Sequence, residues 1–405
     1  MVPVRGPTNK SSVREERQPA RDEAEEVAPG VLRIQLPIAL PGLGHVNCYA
    51  LEDDKGVALV DPGLPGPATW RQLKRRLDEA GLPIDRVHTV VVTHSHPDHF
   101  GQAGRLRKRN GARIVTHRSF RTYLDPAAEN DDEETVAVFQ PDPGHHHGPD
   151  DHGPDHHGHQ PGDDGGPGNG ADGEAAPEQP RRASVTPEPN EFTPFSAATP
   201  WGGPGRQVPL ARRLKYLATR YAAGRFMATP SPTDRVEDAE VLRLGGREWI
   251  SVHTPGHTRD HLCLWDPAAG VLMSGDHVLP TITPHISGLG ATIDPLADFF
   301  TSLERMETFD GVSAVLPAHG LVFDDLAGRA RSIREHHHQR LDTLLESGDE
   351  LGRATVEDYM RQLFQSRSWG PMAASETYAH LEHLRLTGRA LVSSDGHQLR
   401  YEMRG

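Results

Sequence analysis

The sequence predicts an α/β fold, and three observations predict it. Short β-branched or apolar runs recur along the chain, apolar residues take helical spacing over 295–309 and again beyond 324, and four of the runs deliver histidine or aspartate on the turn that follows. The most informative of these is Val87 to Val92, which reads as a buried strand running into Thr93-His94-Ser95-His96-Pro97-Asp98-His99. Imidazole and carboxylate are preferred ligands of zinc and similar first-row metals. The spacing suggests that His94 and His96 face one ion while Asp98 and His99 face a second. Trp249 to Val252 then leads to His257, Val271 to Met273 leads to Asp276, and Val312 to Leu316 leads to His319.

Taken in order, Met1 to Ala28 is charged and proline-rich without the apolar core of a signal peptide, so it reads as a disordered tail. Val46 to Leu51 and Leu262 to Trp265 are apolar strand-like runs that contain Cys48 and Cys263. Two cysteines so placed predict buried, reduced thiols in a cytoplasmic protein, and neither suits a catalytic thiol. No run is long and apolar enough to span a membrane. Residues 128–205, rich in His, Asp, Gly and Pro, keep no helix or strand period and read as a disordered insertion. That insertion is either a solvated loop without chemistry or a tether whose imidazoles and carboxylates gather metal near the site.

Leu210 to Phe226 has helical spacing, and Val241 to Leu244 with Trp249 to Val252 flank Gly245-Gly246 as a hairpin. Pro295 to Phe309 reads as a covering helix with Asp294 at its amino end. From Asp324 to Glu346 a long helix carries His336-His337-His338; adjacent helical positions diverge, so the three cannot share an ion and read as a solvated face. Helices over 355–364 and 373–387, then a hairpin around Asp395-Gly396, suggest a winged helix. The domains are therefore expected as a tail (1–28), a metal-binding domain (29–323) and a linker helix with a winged helix (324–405).

The ordered motifs Val60-Asp61-Pro62-Gly63, His94 to His99, His257, Asp276 and His319 resemble the metallo-β-lactamase superfamily. The resemblance implies an αββα sandwich with metals at one edge. It implies that His94, His96 and His257 bind the first of two divalent ions, most readily zinc, with iron or manganese as alternatives. Asp98, His99 and His319 would bind the second, and Asp276 would bridge them with a water or hydroxide. Asp61 looks like a group that orients the histidine loop, its alternative being a turn aspartate before Pro-Gly. The helical end of the chain is similar to a branch that includes single-stranded RNA endonucleases and acyl-carrier-protein thioesterases.

A bridging hydroxide would be the nucleophile, and Asp98 would orient it or accept its proton. Thioester, lactone, β-lactam and phosphodiester all suit that chemistry. His96 stands where oxygen-reducing diiron members carry an acidic residue, which disfavours redox chemistry. With 43 Lys and Arg against 57 Asp and Glu the net charge is -14, which disfavours nucleic acid, although a local basic patch would outweigh it. A small-molecule acyl substrate leads, with RNA cleavage and a non-catalytic metal-binding or regulatory role as alternatives. The last domain would roof the cleft or form a homodimer contact. His277, Thr281, Thr283, His285 and His45 stand where they could touch substrate.

Overall fold

The computed structural model describes residues 14–40, 42–122, 199–203, 230–290 and 292–404. Two mixed sheets lie between helices. The first contains β1 (Glu25–Ala28), β2 (Val31–Leu40), β3 (Leu43–Asp53), β4 (Gly56–Val60), β5 (Val87–Val91), β6 (Arg113–His117) and β7 (Asp234–Val236), in that spatial order. Pairing is antiparallel from β1 to β4 and parallel from β4 to β7. Helix α1 (Pro67–Glu79) fills the β4–β5 crossover, while α2 (Pro97–Phe100) and α3 (Ala103–Asn110) fill the β5–β6 crossover.

The second sheet contains β8 (Val241–Leu244), β9 (Arg247–His253), β10 (Leu262–Asp266), β11 (Val271–Gly275) and β12 (Ala314–Pro317), ordered β12-β11-β10-β9-β8. Helix α4 (Pro295–Glu307) joins β11 to its parallel neighbour β12. Asp294 caps it by accepting from the Ala297 amide at 3.0 Å, so the expected covering helix and its start are both present. The β8–β9 hairpin also forms as expected. Beyond it come α5 (Leu326–Leu351), β13 (Ala354–Thr355), α6 (Val356–Leu363), α7 (Pro371–Leu386), β14 (Ala390–Ser394) and β15 (Leu399–Met403), the strands ordered β13-β15-β14.

Strand alternation explains the layers. In β3 and β4, Val46, Cys48, Ala50, Val57 and Leu59 pack with Trp70, Leu73 and Leu77 of α1, whereas Tyr49, Leu51, Ala58 and Val60 face the second sheet. In β10, Leu262 and Leu264 face the first sheet while Cys263 and Trp265 face α4 and the carboxyl-terminal helices. Each fully buried aliphatic side chain of this kind contributes roughly 1.5–3 kcal/mol. Both faces of both sheets are thus covered, giving the α/β/β/α order.

Several expectations need correction. The tail reading fails for residues 14–28: Glu16 is buried in a turn of 3-10 helix, and β1 pairs with β2. The reason is that the Glu16 carboxylate is saturated by donors, the amides of Thr281 and Ile282 and the Thr281 hydroxyl, which composition cannot reveal. The carboxyl-terminal end of the 128–205 tract also belongs to the fold. Trp201 is buried and donates to Glu357 at 3.0 Å, and Gly202 bridges Gln398. The remainder of that tract, and the helix expected over 210–226, lie outside the described residues.

The boundary drawn after Phe323 marks a change of secondary structure, not a break in the core. Leu272, Phe299 and Val315 belong to the same apolar cluster as Tyr359, Leu381 and Tyr401. The histidine triplet is not wholly solvated either: His337 is fully buried and its Nδ1 lies 3.0 Å from His380 Nε2. Successive helical residues turn by about 100°, so one of three adjacent positions meets the core. Among the described residues no helix is long and apolar enough to cross a membrane.

Candidate metal centre

Loops from both sheets meet at the carboxyl ends of β5, β9, β11 and β12. The Leu262 amide donates to the Thr93 carbonyl at 2.8 Å, and the Asn47 amide donates to the Ala318 carbonyl at 2.7 Å. Asn47 Nδ2 adds bonds to the carbonyls of Pro317 and Gly320 at 2.8 and 3.0 Å. These bonds pin the loops of one sheet onto the strands of the other.

Two groups of potential ligands result: His94, His96, His257 and Asp276, and beside them Asp98, His99 and His319. All seven residues expected from the sequence are therefore brought together. His96 Nδ1 lies 3.0 Å from His94 Nε2 and 3.1 Å from His257 Nε2. Asp276 Oδ2 lies 3.5 Å from His257 Nε2 and 3.6 Å from His99 Nε2, and its Oδ1 lies 3.3 Å from His319 Nε2.

The outward nitrogens of four of these rings are held by acceptors. His99 Nδ1 donates to Asp61 Oδ2 at 2.8 Å, His257 Nδ1 to the His285 carbonyl at 2.8 Å, and His319 Nδ1 to the His45 carbonyl at 2.6 Å. The Thr93 hydroxyl donates to Asp61 Oδ2 at 2.7 Å, so its oxygen accepts from His94 Nδ1 at 3.0 Å. Each of these acceptors favours a proton on Nδ1, which leaves Nε2 as the inward atom that a cation could engage, the arrangement that metal-binding histidine requires.

Asp61 does more than accept from His99. Its Oδ1 receives the Thr93 amide at 2.9 Å, and its own backbone sits at φ 54°, where Asp and Asn are tolerated far better than branched residues. The turn aspartate before Pro-Gly and the loop-orienting aspartate are thus one residue.

The donor set suits a cation. Among the described residues, His99 Nε2 is buried without a hydrogen-bond partner, and His319 Nε2 and Asp276 Oδ1, 3.3 Å apart, make no aligned hydrogen bond, an arrangement costly unless something else engages them. Burial acts to depress His99, yet Asp98, Asp61 and Asp276 outweigh it and raise that ring well above its ordinary value. For His94, burial and the neighbouring His99 and His96 rings all push the other way, and it is held well below. The carboxylates create a local demand for positive charge, and divalent metal ions are what this donor set could hold.

Residues expected to touch substrate fare differently. His45 is buried with both nitrogens engaged: Nδ1 donates to the Gln18 carbonyl at 2.8 Å and Nε2 accepts the Gly320 amide at 3.1 Å. It is a structural link. Thr281 is occupied by Glu16, and His277 is fully buried against Phe299. Thr283 and His285 remain partly exposed.

Sequence reasoning missed His261 and Asp260. His261 Nε2 accepts the Asp276 amide at 3.0 Å while Nδ1 faces Thr254 Oγ1 at 2.7 Å. Gly275, at φ 52°, leaves room for this ring, since a Cβ there would sit 2.5 Å from His261 Nε2. Asp260 receives the Ser95 hydroxyl at 3.0 Å, and burial pushes its carboxyl up to about 6. Both follow His257 within four positions, where the crowding of polar groups is the only signal. Cys48 and Cys263 are buried free thiols; burial raises both, Cys263 to about 12.

Comparison with known proteins agrees with this fold. A metallo-beta-lactamase family protein from Thermus thermophilus shares the fold with a TM-score of 0.64 at 24% identity, covering 94% of this chain and 100% of that one. A Beta-lactamase domain protein from Burkholderia ambifaria gives 0.61 at 24% identity, covering 95% and 96%. A Beta-lactamase-like protein 2 homolog from Caenorhabditis elegans is 28% identical over 141 residues, 35% of this chain and 45% of that protein. An atrochrysone carboxyl ACP thioesterase from Cryptosporiopsis sp. is 31% identical over 108 residues, 26% of this chain and 31% of that protein. The matched stretch thus spans less than half the length of either curated relative. The sequence profile described as Metallo-beta-lactamase superfamily matches residues 41–177 and 178–353. Since that profile runs through both sheets and every loop that carries the cluster, the chain belongs to the metallo-beta-lactamase superfamily.

Proposed function

We propose that this chain is a dinuclear metal-dependent hydrolase acting on an acyl substrate, a thioester or an ester or lactone. The observation that carries the reading is the Asp276 carboxylate, whose Oδ2 faces His257 and whose Oδ1 faces His319, so that one side chain reaches both ligand groups. Two divalent ions, with zinc the best match to the nitrogen and oxygen donors, would supply Lewis acidity and an activated water. His94, His96 and His257 would hold one ion, Asp98, His99 and His319 the other, and Asp276 both.

The chain's own groups then divide the work. Asp98 holds Oδ2 3.6 Å from His99 Nε2 and from His319 Nε2, and from this position it would orient the attacking water or accept its proton. Asp61 fixes the loop on which Asp98 and His99 stand. No covalent intermediate on sulfur is needed, and burial keeps both thiols protonated. The acyl class is favoured by the thioesterase relative and by the charges. Three of the carboxyl-terminal arginines are paired with carboxylates: Arg353 with Glu402 at 3.1 Å, Arg361 with Asp358 at 2.9 Å and Arg385 with Glu382 at 2.7 Å. We read the α6, α7 and β13-β15-β14 unit as a winged helix that serves as a packing element here.

A panel of acyl thioesters, lactones, β-lactams and single-stranded RNA tests the reading, each assayed before and after chelation. The highest specific activity is expected on an acyl compound, abolished by chelator. RNA cleavage that outpaces every acyl substrate, and that disappears in Arg385→Glu, would replace it with an endonuclease. Metal binding without turnover of any of them would favour the non-catalytic alternative.

A further inference from the structure

The stretch after Asp276, residues 277–290, contains no helix or strand, yet it supplies the carbonyl of His285 that holds His257 Nδ1 at 2.8 Å. Something must fix that carbonyl. At the near end of the stretch, Glu16 binds the amides of Thr281 and Ile282, and Arg329 of α5 donates to the carbonyls of Leu279 and Ile282, both at 2.6 Å. At the far end, the Gly288 amide donates to the Ser375 carbonyl of α7 at 3.2 Å. Between them the His285 ring itself is engaged: its Nδ1 lies 3.4 Å from Glu376 Oε2, also on α7.

Glu376 is buried, and its other oxygen pairs with Arg340 of α5. A carboxylate removed from water is costly unless paired on both sides, and here the two sides are α5 and the His285 ring. The helix beneath is held in turn, because His380 Nδ1 donates to the Glu376 carbonyl at 2.7 Å and His380 Nε2 lies against His337. A rigid anchor two helices deep therefore ends on the residue whose carbonyl sets the ring of a candidate ligand.

We infer that Glu376 is a positioning residue for the first metal site, acting through His285 on His257, so that the carboxyl-terminal helices are part of what builds the centre. The inference rests on the dinuclear reading above. It goes beyond that reading in assigning a role to a side chain more than a hundred positions from His257. Partners that orient a ligand histidine typically alter metal affinity about 10–100-fold. The effect should fall on the ion held by His94, His96 and His257 and spare the ion held by Asp98, His99 and His319, whose rings are oriented by Asp61 and the His45 carbonyl.

The test is titration of the full-length, metal-stripped chain with cobalt(II), following the visible d–d spectrum. Wild type should take up two ions in resolvable steps; failure to bind any would defeat the reading of the site itself. In Glu376→Gln one step should weaken by about tenfold or more with an altered spectrum, while the other step stays within about threefold. His285→Ala keeps the carbonyl and removes the ring, leaves Glu376 with its Arg340 partner, and should weaken the same step; it serves if Glu376→Gln does not fold. The double variant should be no worse than the poorer single one. Two unchanged steps, or equal weakening of both steps in parallel with a lower Tm, would overturn the inference while leaving the dinuclear reading intact.

Discussion

The two halves of the candidate centre are built in opposite ways. The first sheet contributes His94, His96, Asp98 and His99 from one six-residue loop, and the orienting acceptors are neighbouring side chains of that same sheet, Asp61 and Thr93. The second sheet contributes His257, Asp276 and His319 from three loops, and their orienting partners are main-chain carbonyls of distant segments or another buried ring, His285, His45 and His261. A compact half is encoded locally, and a dispersed half depends on how the whole chain packs. Substitutions should therefore act differently on the two halves.

The largest effect tests whether both halves are needed. Asp98→Ala and His257→Ala, one from each, should each lower hydrolysis of an acyl thioester by more than the roughly 100-fold expected from losing an orienting partner, with the fold retained by circular dichroism. Substantial turnover in either variant would show that one half suffices and would break the comparison.

Next comes the partner that serves the compact half. Asp61→Asn keeps the shape and tolerates the φ of 54°, but it loses the charge facing His99. Metal affinity by chelator competition should fall about 10–100-fold with little change in apoprotein Tm. Unchanged affinity at both sites would mean that the compact half does not depend on Asp61.

The dispersed half should be vulnerable through packing alone. Gly256, next to His257, has φ 132°, and a Cβ there would meet Phe299 of α4 at 2.4–2.7 Å, backbone included. Gly256→Ala should cost about 2–5 kcal/mol of stability, measured by denaturant unfolding. A stable, fully metal-loaded variant would show that this loop is not fixed by α4.

What the sequence disclosed follows the same division. The seven candidate ligands, the strands behind them and the capped helix after Asp294 were legible because each signal is local: a β-branched run, a histidine spacing, an N-cap. His285 was legible only as a residue that could touch substrate, because its contribution is a carbonyl and carbonyls carry no residue signature. Glu16 looked like part of a charged tail, since its donors come from residues 281 and 282, far along the chain. His337 looked solvated because helical phase relative to a core is a tertiary property. Burial of an ionisable group is invisible in composition whenever its partners are distant.

The smallest effect expected concerns that buried pair, and it separates the anchor of the dispersed half from the centre itself. Burial, aided by Arg340 and His383 and opposed by Glu376, depresses His380 from its ordinary 6.5 to about 4, and His337 is lowered too. The unfolded chain therefore binds more protons than the fold between those values. Stability from these rings is complete above about pH 6.5 and is lost as the pH falls towards 4, amounting at pH 5 to about 2 kcal/mol for His380 alone. Ligand histidines also titrate in acid, so the useful quantity is a difference between variants at matched metal loading. His380→Gln should unfold with a flatter dependence on pH from 6.5 to 4 than wild type, because only the α5–α7 contribution has been removed. Identical slopes would leave the buried pair without influence on the acid sensitivity of the fold.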